Sequence, residues 1–160
     1  MAPESADLPR RLAESSVEVL IESIASRRIA PGAGSAAAVV LALGAACAQK
    51  AACISLKHRP DDERLQHAAR ACEDIAREAL SGADEDAREF DRLLRSQDKA
   101  AAAAQLLELG RRLERRAVEL LRLAATMRPL VIKPLIADLD ACEAFARAAK
   151  QVEVRNLEDD

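Results

Sequence analysis

At 160 residues the chain is long enough for one domain with a real core, and no linker or shift of composition divides it. Half of its residues are hydrophobic and 32% are charged, which excludes both a disordered chain and a protein built of membrane spans. Aromatics make up only 1%, with two Phe and no Trp or Tyr, and the net charge is −3, so the chain has neither base-stacking platforms nor a basic footprint for nucleic acid.

Ala, Leu, Arg and Glu dominate, all strong helix formers, and predict an all-α protein. Residues 1–14 are polar, with two prolines, and read as a loose arm. Ser15 and Glu18 have capping-box spacing, and Val17, Leu20, Ile21 and Ile24 recur at helical spacing, predicting a first helix over 16–28. Ala30, Pro31, Gly32, Ala33 and Gly34 break the chain, and Ser35 is placed to cap a second helix over 35–57. Residues 36–48 of that helix are apolar or Gly throughout. Apolar on all sides implies buried on all sides, yet the run is shorter than the ~18 residues a membrane span needs. It predicts a long central helix in a bundle, with a surface that also enters a dimer interface. After Pro60 a stripe of Leu65, Ala69, Cys72, Ala76, Ala79, Ala83, Phe90 and Leu94 predicts a third helix over 61–96. A fourth begins after Asp98, carries Leu106, Leu109, Leu113, Ala117, Leu120 and Ala124, and ends before Pro129. A fifth runs over 135–152 with Leu139, Cys142, Phe145, Ala149 and Val152 inward, leaving an acidic, frayed tail. The expectation is one all-α domain, a bundle of about five helices.

Four features carry candidate chemistry. In the loop of Pro31, Gly32, Gly34 and Ser35, the glycines permit close backbone approach, and free N–H groups at the start of the second helix suit an anion or a carbonyl oxygen. A tight inter-helix turn explains the same residues. Asp86 sits on or beside the inward stripe, where a carboxylate either pairs with a base or meets a ligand. The neighbouring acids, Asp84 among them, read as solvated face. Asp138 starts the apolar stripe of the fifth helix, where an acid also suits the helix N-terminus. Lys50 interrupts the apolar run and reads as a snorkelling side chain.

Cys47, Cys53, Cys72 and Cys142 lack zinc spacing and read as buried, reduced thiols, and His58 and His67 stand apart, so no metal site is expected. The N-terminus has no apolar run of a signal peptide. Together these predict a cytoplasmic protein.

The stretch 16–56 resembles the start of the formiminotetrahydrofolate cyclodeaminase and methenyltetrahydrofolate cyclohydrolase family. That family's T-P-G-G-G-S loop and A-L-G-A-A helix are matched by Pro31, Gly32, Gly34 and Ser35 and by Ala42, Leu43, Gly44, Ala45 and Ala46. Asp84, Glu85, Asp86, Ala87 and Phe90 match D-E-D-A-x-x-F, Asp138 matches the acid of S-D-x-G, and Asn156 and Leu157 match the end of N-V-x-I-N-L. The chain departs from these patterns at Ala33, Arg112, Asp140 and Val152, and has Lys57, His58 and Arg59 for a Gly-Lys-Lys stretch.

The resemblance implies a dimeric helical bundle acting on one-carbon tetrahydrofolates, with the folate as substrate and no cofactor. A carboxylate would stabilise the cationic one-carbon unit and a base would take a proton, roles falling to Asp86 and Asp138. Pro31, Gly32, Gly34 and Ser35 would contact the substrate, Lys57 or Arg59 its glutamate carboxylate, and Phe90 or Phe145 its pterin. The alternative is a non-catalytic relative that binds a small ligand or a protein partner.

Overall fold

The chain was analysed as a computed structural model that describes residues 11–158. Most of the arm expected over 1–14 lies outside that range, but Leu12–Glu14 forms a 3₁₀ turn with Leu12 buried. Five α-helices follow: α1 (Val17–Ala25), α2 (Ala33–Leu56), α3 (Glu63–Arg95), α4 (Lys99–Met127) and α5 (Ile136–Glu158).

Side-chain caps set most of the starts. Ser16, rather than Ser15, caps α1 by accepting the Val19 N–H. Asp62 caps α3 and Asp98 caps α4 in the same way. α1 stops three residues before the expected end. The Ser26 hydroxyl accepts the Arg28 N–H and offers the backbone an alternative to another helical turn. α5 runs past the expected end, through Asn156, because Glu153 and Leu157 pack against Gly110 of α4.

α2, α3, α4 and α5 form an up-down-up-down bundle in which each helix packs on the next and α5 returns to α2. Specific pairs fix the directions. Ser35 at the start of α2 meets Asp86 in the second half of α3. Gly44 lies against Cys142 and Phe145, and Lys50 pairs with Asp138 at 3.0 Å, so α2 and α5 are antiparallel. Arg112 and Arg116 of α4 pair with Glu85 and Glu78 of α3, and Arg128 at the end of α4 bridges Asp140 and Glu143 of α5. At the far end of α2 the buried Ser55 hydroxyl accepts the Ile132 N–H and ties down the connector before α5.

The core follows from the composition. Ala37, Ala38, Ala42, Ala45, Ala48, Ala51 and Ala52 bury one side of α2 against Leu65, Ile75, Leu113, Leu120 and Leu139. Small residues on the central helix let its neighbours come close, which compensates for the lack of aromatic bulk. The burial of α2 is not all-round, however. Leu43, Ala46 and Cys53 are exposed, and Val39, Val40 and Cys47 are only half-buried. Ala42, by contrast, faces the chain's own core. α1 has no buried residue, and its Val17 and Ile21 are open to solvent. The cysteines divide likewise: Cys72 and Cys142 are buried, with thiols pushed up to about 12 by desolvation, whereas Cys53 is exposed, contrary to the expectation.

Two glycines test this packing in opposite ways. A Cβ at Gly44 would lie 3.2 Å from the Cys142 carbonyl oxygen, part of a helix backbone that cannot step aside. Gly44→Val is therefore expected to cost about 1–3 kcal/mol in urea unfolding. At Gly82 the close atom is a terminal methyl of Leu113, at 2.9 Å, which can rotate away. Gly82→Ala is expected to be neutral or stabilising by up to ~1 kcal/mol through helix propensity.

Candidate active site

Asp86 projects from α3 onto the first turn of α2. The Ser35 hydroxyl donates to its Oδ2 at 2.7 Å, and the Ser35 backbone N–H donates to the same carboxylate. A Cβ at Gly34 would overlap that carboxylate, lying 2.8 Å from its Cγ. α2 begins at Ala33, and its N-cap, Gly32, has no side chain to offer. Asp86 supplies the anion that the positive end of the helix favours. The loop therefore differs from the expectation in two ways. Ser35 is a buried hydroxyl donor inside the helix, not its cap, and Gly34 makes room for Asp86. Pro31 is fully buried, with a cis bond from Ala30, and of the four loop residues expected to contact a substrate only Gly32 and Gly34 line open space.

That space is a cavity of about 300 Å³ between the start of α2, α3, α4 and the end of α5. Asp86 and Phe90 line it from α3, and Leu106, Leu107 and Gly110 from α4. Glu153, Asn156 and Leu157 line it from α5, with Ile29 and Ala30 at the loop. No Lys or Arg is among these residues. The two acids are held differently. Burial pushes Asp86 above the usual carboxylate range, although both Ser35 hydrogen bonds pull it back. Glu153 is 4% exposed, and its Oε1 has no hydrogen-bond partner among the described residues. Its pKa is pushed up to about 8 by burial first and by the charge of Asp86 second. At neutral pH Glu153 is mostly a neutral acid facing a carboxylate, the division of state that acid–base pairs use.

The other candidates lie elsewhere. Asp138 pairs with Lys50, which is ~22 Å along α2 from Ser35 at the rise of an α-helix. Because α5 is antiparallel to α2, Asp138 serves the α2–α5 contact away from the start of α2, and Lys50 is its partner rather than a free snorkelling charge. Lys57 and Arg59 follow the last turn of α2, a further ~10 Å away, and do not reach the cavity within one chain. Phe90 is at the cavity wall, whereas Phe145 packs beside Gly44 in mid-bundle. Asp84, expected on the solvated face, is buried and accepts the Leu12 N–H, anchoring the 3₁₀ turn to α3.

Glu153 was legible but missed. The stripe Leu139, Cys142, Ala146, Ala149 is buried, and its alternating steps of three and four next reach Glu153. Reading Phe145 and Val152 as inward shifts the phase and hides it. Among the described residues no group of three or more His, Cys, Asp or Glu is arranged to hold a metal ion.

The buried acid has a thermodynamic signature. Its folded pKa of about 8 lies above the unfolded value of about 4.3, so the folded state holds more protons between them and loses stability as pH rises through that window. Glu153→Gln keeps the shape and removes the ionisation. The variant is expected to be more stable than the wild type at pH 8 by roughly 2–4 kcal/mol, with the difference fading toward pH 4. Melting temperatures at several pH values read this directly, and parallel curves for the two proteins would refute it.

Comparison with known proteins agrees with the motifs and the bundle. No curated protein sequence matches the chain. The structure is similar to the crystal structure of formiminotetrahydrofolate cyclodeaminase from Thermotoga maritima, with a TM-score of 0.87 at 19% identity, over 93% of this chain and 79% of that one. A likeness at that identity speaks for the fold. The sequence model of the formiminotransferase-cyclodeaminase family matches residues 16–158, nearly the whole described chain, and this chain belongs to that family.

Proposed function

We propose that the chain is a one-carbon tetrahydrofolate enzyme. It would close a formimino group with loss of ammonia, as a cyclodeaminase does, or hydrolyse a methenyl bridge, as a cyclohydrolase does. The observation that carries this reading is the cavity itself: two acids and no basic side chain on a wall whose remaining side chains, Asn156 apart, are apolar. Both reactions pass through a cationic carbon held between nitrogens, and a fixed carboxylate stabilises such charge where water is excluded. Asp86, held by Ser35, would do so and would accept a proton from the incoming nucleophile. Phe90, Leu106 and Leu107 give the planar ring an apolar surface. A volume of about 300 Å³ is at the lower end of the range of small-molecule sites. Membership of the family supports the same substrate class. Four free thiols fit action in the reducing cytoplasm.

Asp86→Asn tests the reading. The swap is nearly isosteric, and Ser35 can still hydrogen-bond to the amide oxygen. Helical circular dichroism is expected to persist while turnover, followed through methenyl absorbance, falls at least 100-fold. Binding of a reduced folate without turnover by the wild type would favour a non-catalytic relative instead.

We propose further that the protein is a homodimer joined through the outward stripe of α2. Ala36, Val40, Leu43 and Cys47 recur there at steps of three and four, and Leu43 is 53% exposed. A contiguous apolar helix face of this kind is suited to a second copy of itself, which covers both faces with one contact. Leu43→Arg is expected to give a folded monomer in sedimentation or light scattering. A variant of unchanged mass would place the interface elsewhere.

A further inference from the structure

We propose that Glu153 is a catalytic residue, the proton donor to the departing nitrogen, working across the cavity from Asp86. The inference deepens the folate reading and rests on it. Three observations place Glu153 in this role. Its side chain is nearly fully buried yet lines the cavity, so it is aimed at whatever binds there. Its Oε1 has no partner within the described chain, which a purely structural buried acid would require. Its place on α5 is tightly set, because Gly110 of α4 leaves room for it: a Cβ at that glycine would stand 3.3 Å from Oε2.

The step balances with one proton shared by two acids. In the cyclodeaminase direction the substrate's amine nitrogen attacks the cationic formimino carbon, forming the new C–N bond, and gives its proton to the Asp86 carboxylate. The tetrahedral carbon then carries an amino group that leaves poorly as an anion. Glu153 protonates that nitrogen, the C–N bond breaks with its electron pair on nitrogen, and ammonia departs. The two remaining nitrogens share the positive charge of the methenyl product. Asp86 is left protonated and Glu153 ionised, and return of the proton from one to the other restores the starting state. With water as nucleophile, Asp86 would take a proton from the water and Glu153 would protonate the ring nitrogen that is released. The carbinol hydroxyl then returns a proton to Glu153 as the C–N bond breaks and the formyl C=O forms, and Asp86 passes the net proton of the hydrolysis to solvent.

Charge bookkeeping in the cavity supports that division. Asp86 of α3 is the one other titratable group on the cavity wall, since α2 contributes Gly32, Ala33 and Gly34, and α4 contributes Leu106, Leu107 and Gly110. Burial and the Asp86 carboxylate both disfavour ionisation of Glu153, so the proton stays on it until a nitrogen takes it. Because kcat/KM reports the ionisations of the free protein, kcat/KM is the quantity expected to decline as pH rises through about 8.

Glu153→Gln and Glu153→Asp, assayed beside the wild type with formimino and methenyl tetrahydrofolate as substrates, test the proposal. The Gln variant is expected to lose at least 100-fold in kcat with KM changed less than threefold, and to lose the alkaline limb of the kcat/KM profile. The Asp variant is expected to regain part of the rate together with an alkaline limb. A reduced folate titrated into each variant shows that the cavity is still formed. If the wild type turns over and the Gln variant keeps its rate and its alkaline limb, Glu153 is not the proton donor and the folate reading stands. If the wild type turns over neither substrate, the folate reading fails and the proton-donor role falls with it.

Discussion

The site depends on one contact, the Asp86 carboxylate seated on the first turn of α2. Gly34 leaves the space for it, Ser35 donates to it twice, and the positive end of a helix ~36 Å long lies beneath it. The contact does two jobs through the same atoms. It supplies α2 with the anion that its N-cap glycine cannot provide, and it holds a charged group at the edge of a cavity in a fixed direction. A lone carboxylate in that position would be costly to bury. One whose charge is shared with a helix terminus and a hydroxyl is tolerated. The P-G-x-G-S sequence is thus as much a seat for an acid on another helix as a surface offered to a ligand.

Once α2 and α3 are aligned at that point, the alternating directions of the bundle determine what else can meet there. Helices α2 and α5 are antiparallel and of nearly equal length, so the start of one lies beside the end of the other. Residues near Glu153 therefore reach Asp86, and residues near Asp138 cannot. The ends of the bundle separate by role. One end carries the cavity and its two acids. The other is closed by Ser55, Arg128 and the Lys50–Asp138 pair, which tie connectors and helix ends together.

Helix number, order and approximate limits were legible in the sequence because apolar spacing, capping residues and prolines all agreed, and agreement across levels marks a well-specified fold. Asp86 was legible for the same reason: it sat at the edge of a regular stripe. For Asp138, Lys57 and Arg59 the sequence does not show which helix ends adjoin. Helical spacing gives the face a residue occupies, not the end of the bundle at which it lies. Asp84 and Glu153 were hidden by a different limit. Each is a charged residue at a buried position, so a rule that assigns charge to the surface sends it outward. Asp84 becomes intelligible only through the Leu12 N–H, which is 72 residues away in sequence. Glu153 could have been found from the phase of its own helix, had the stripe been started from Leu139 and not from Asp138.

The departures from the family's pattern take on meaning in this geometry. Arg112, one of the departures, joins α4 to Glu85 of α3 two residues from the glycine that faces Glu153. A proline there would remove a helical hydrogen bond, whereas an arginine keeps α4 regular and adds an ion pair to the α3–α4 seam. That pair is partly exposed and contributes little stability by itself. Its effect is on register, since it pins together the same stretches of α3 and α4 that line the cavity. Val152 replaces the first Asn of the terminal motif, and the residue after it is the buried Glu153. Val152 is half-buried, and the ionisable group of the next residue faces Asp86 across the cavity. The cost is a buried acid whose Oε1 has no hydrogen-bonding partner among the described residues. Such a cost is expected where chemistry, not stability, sets the residue.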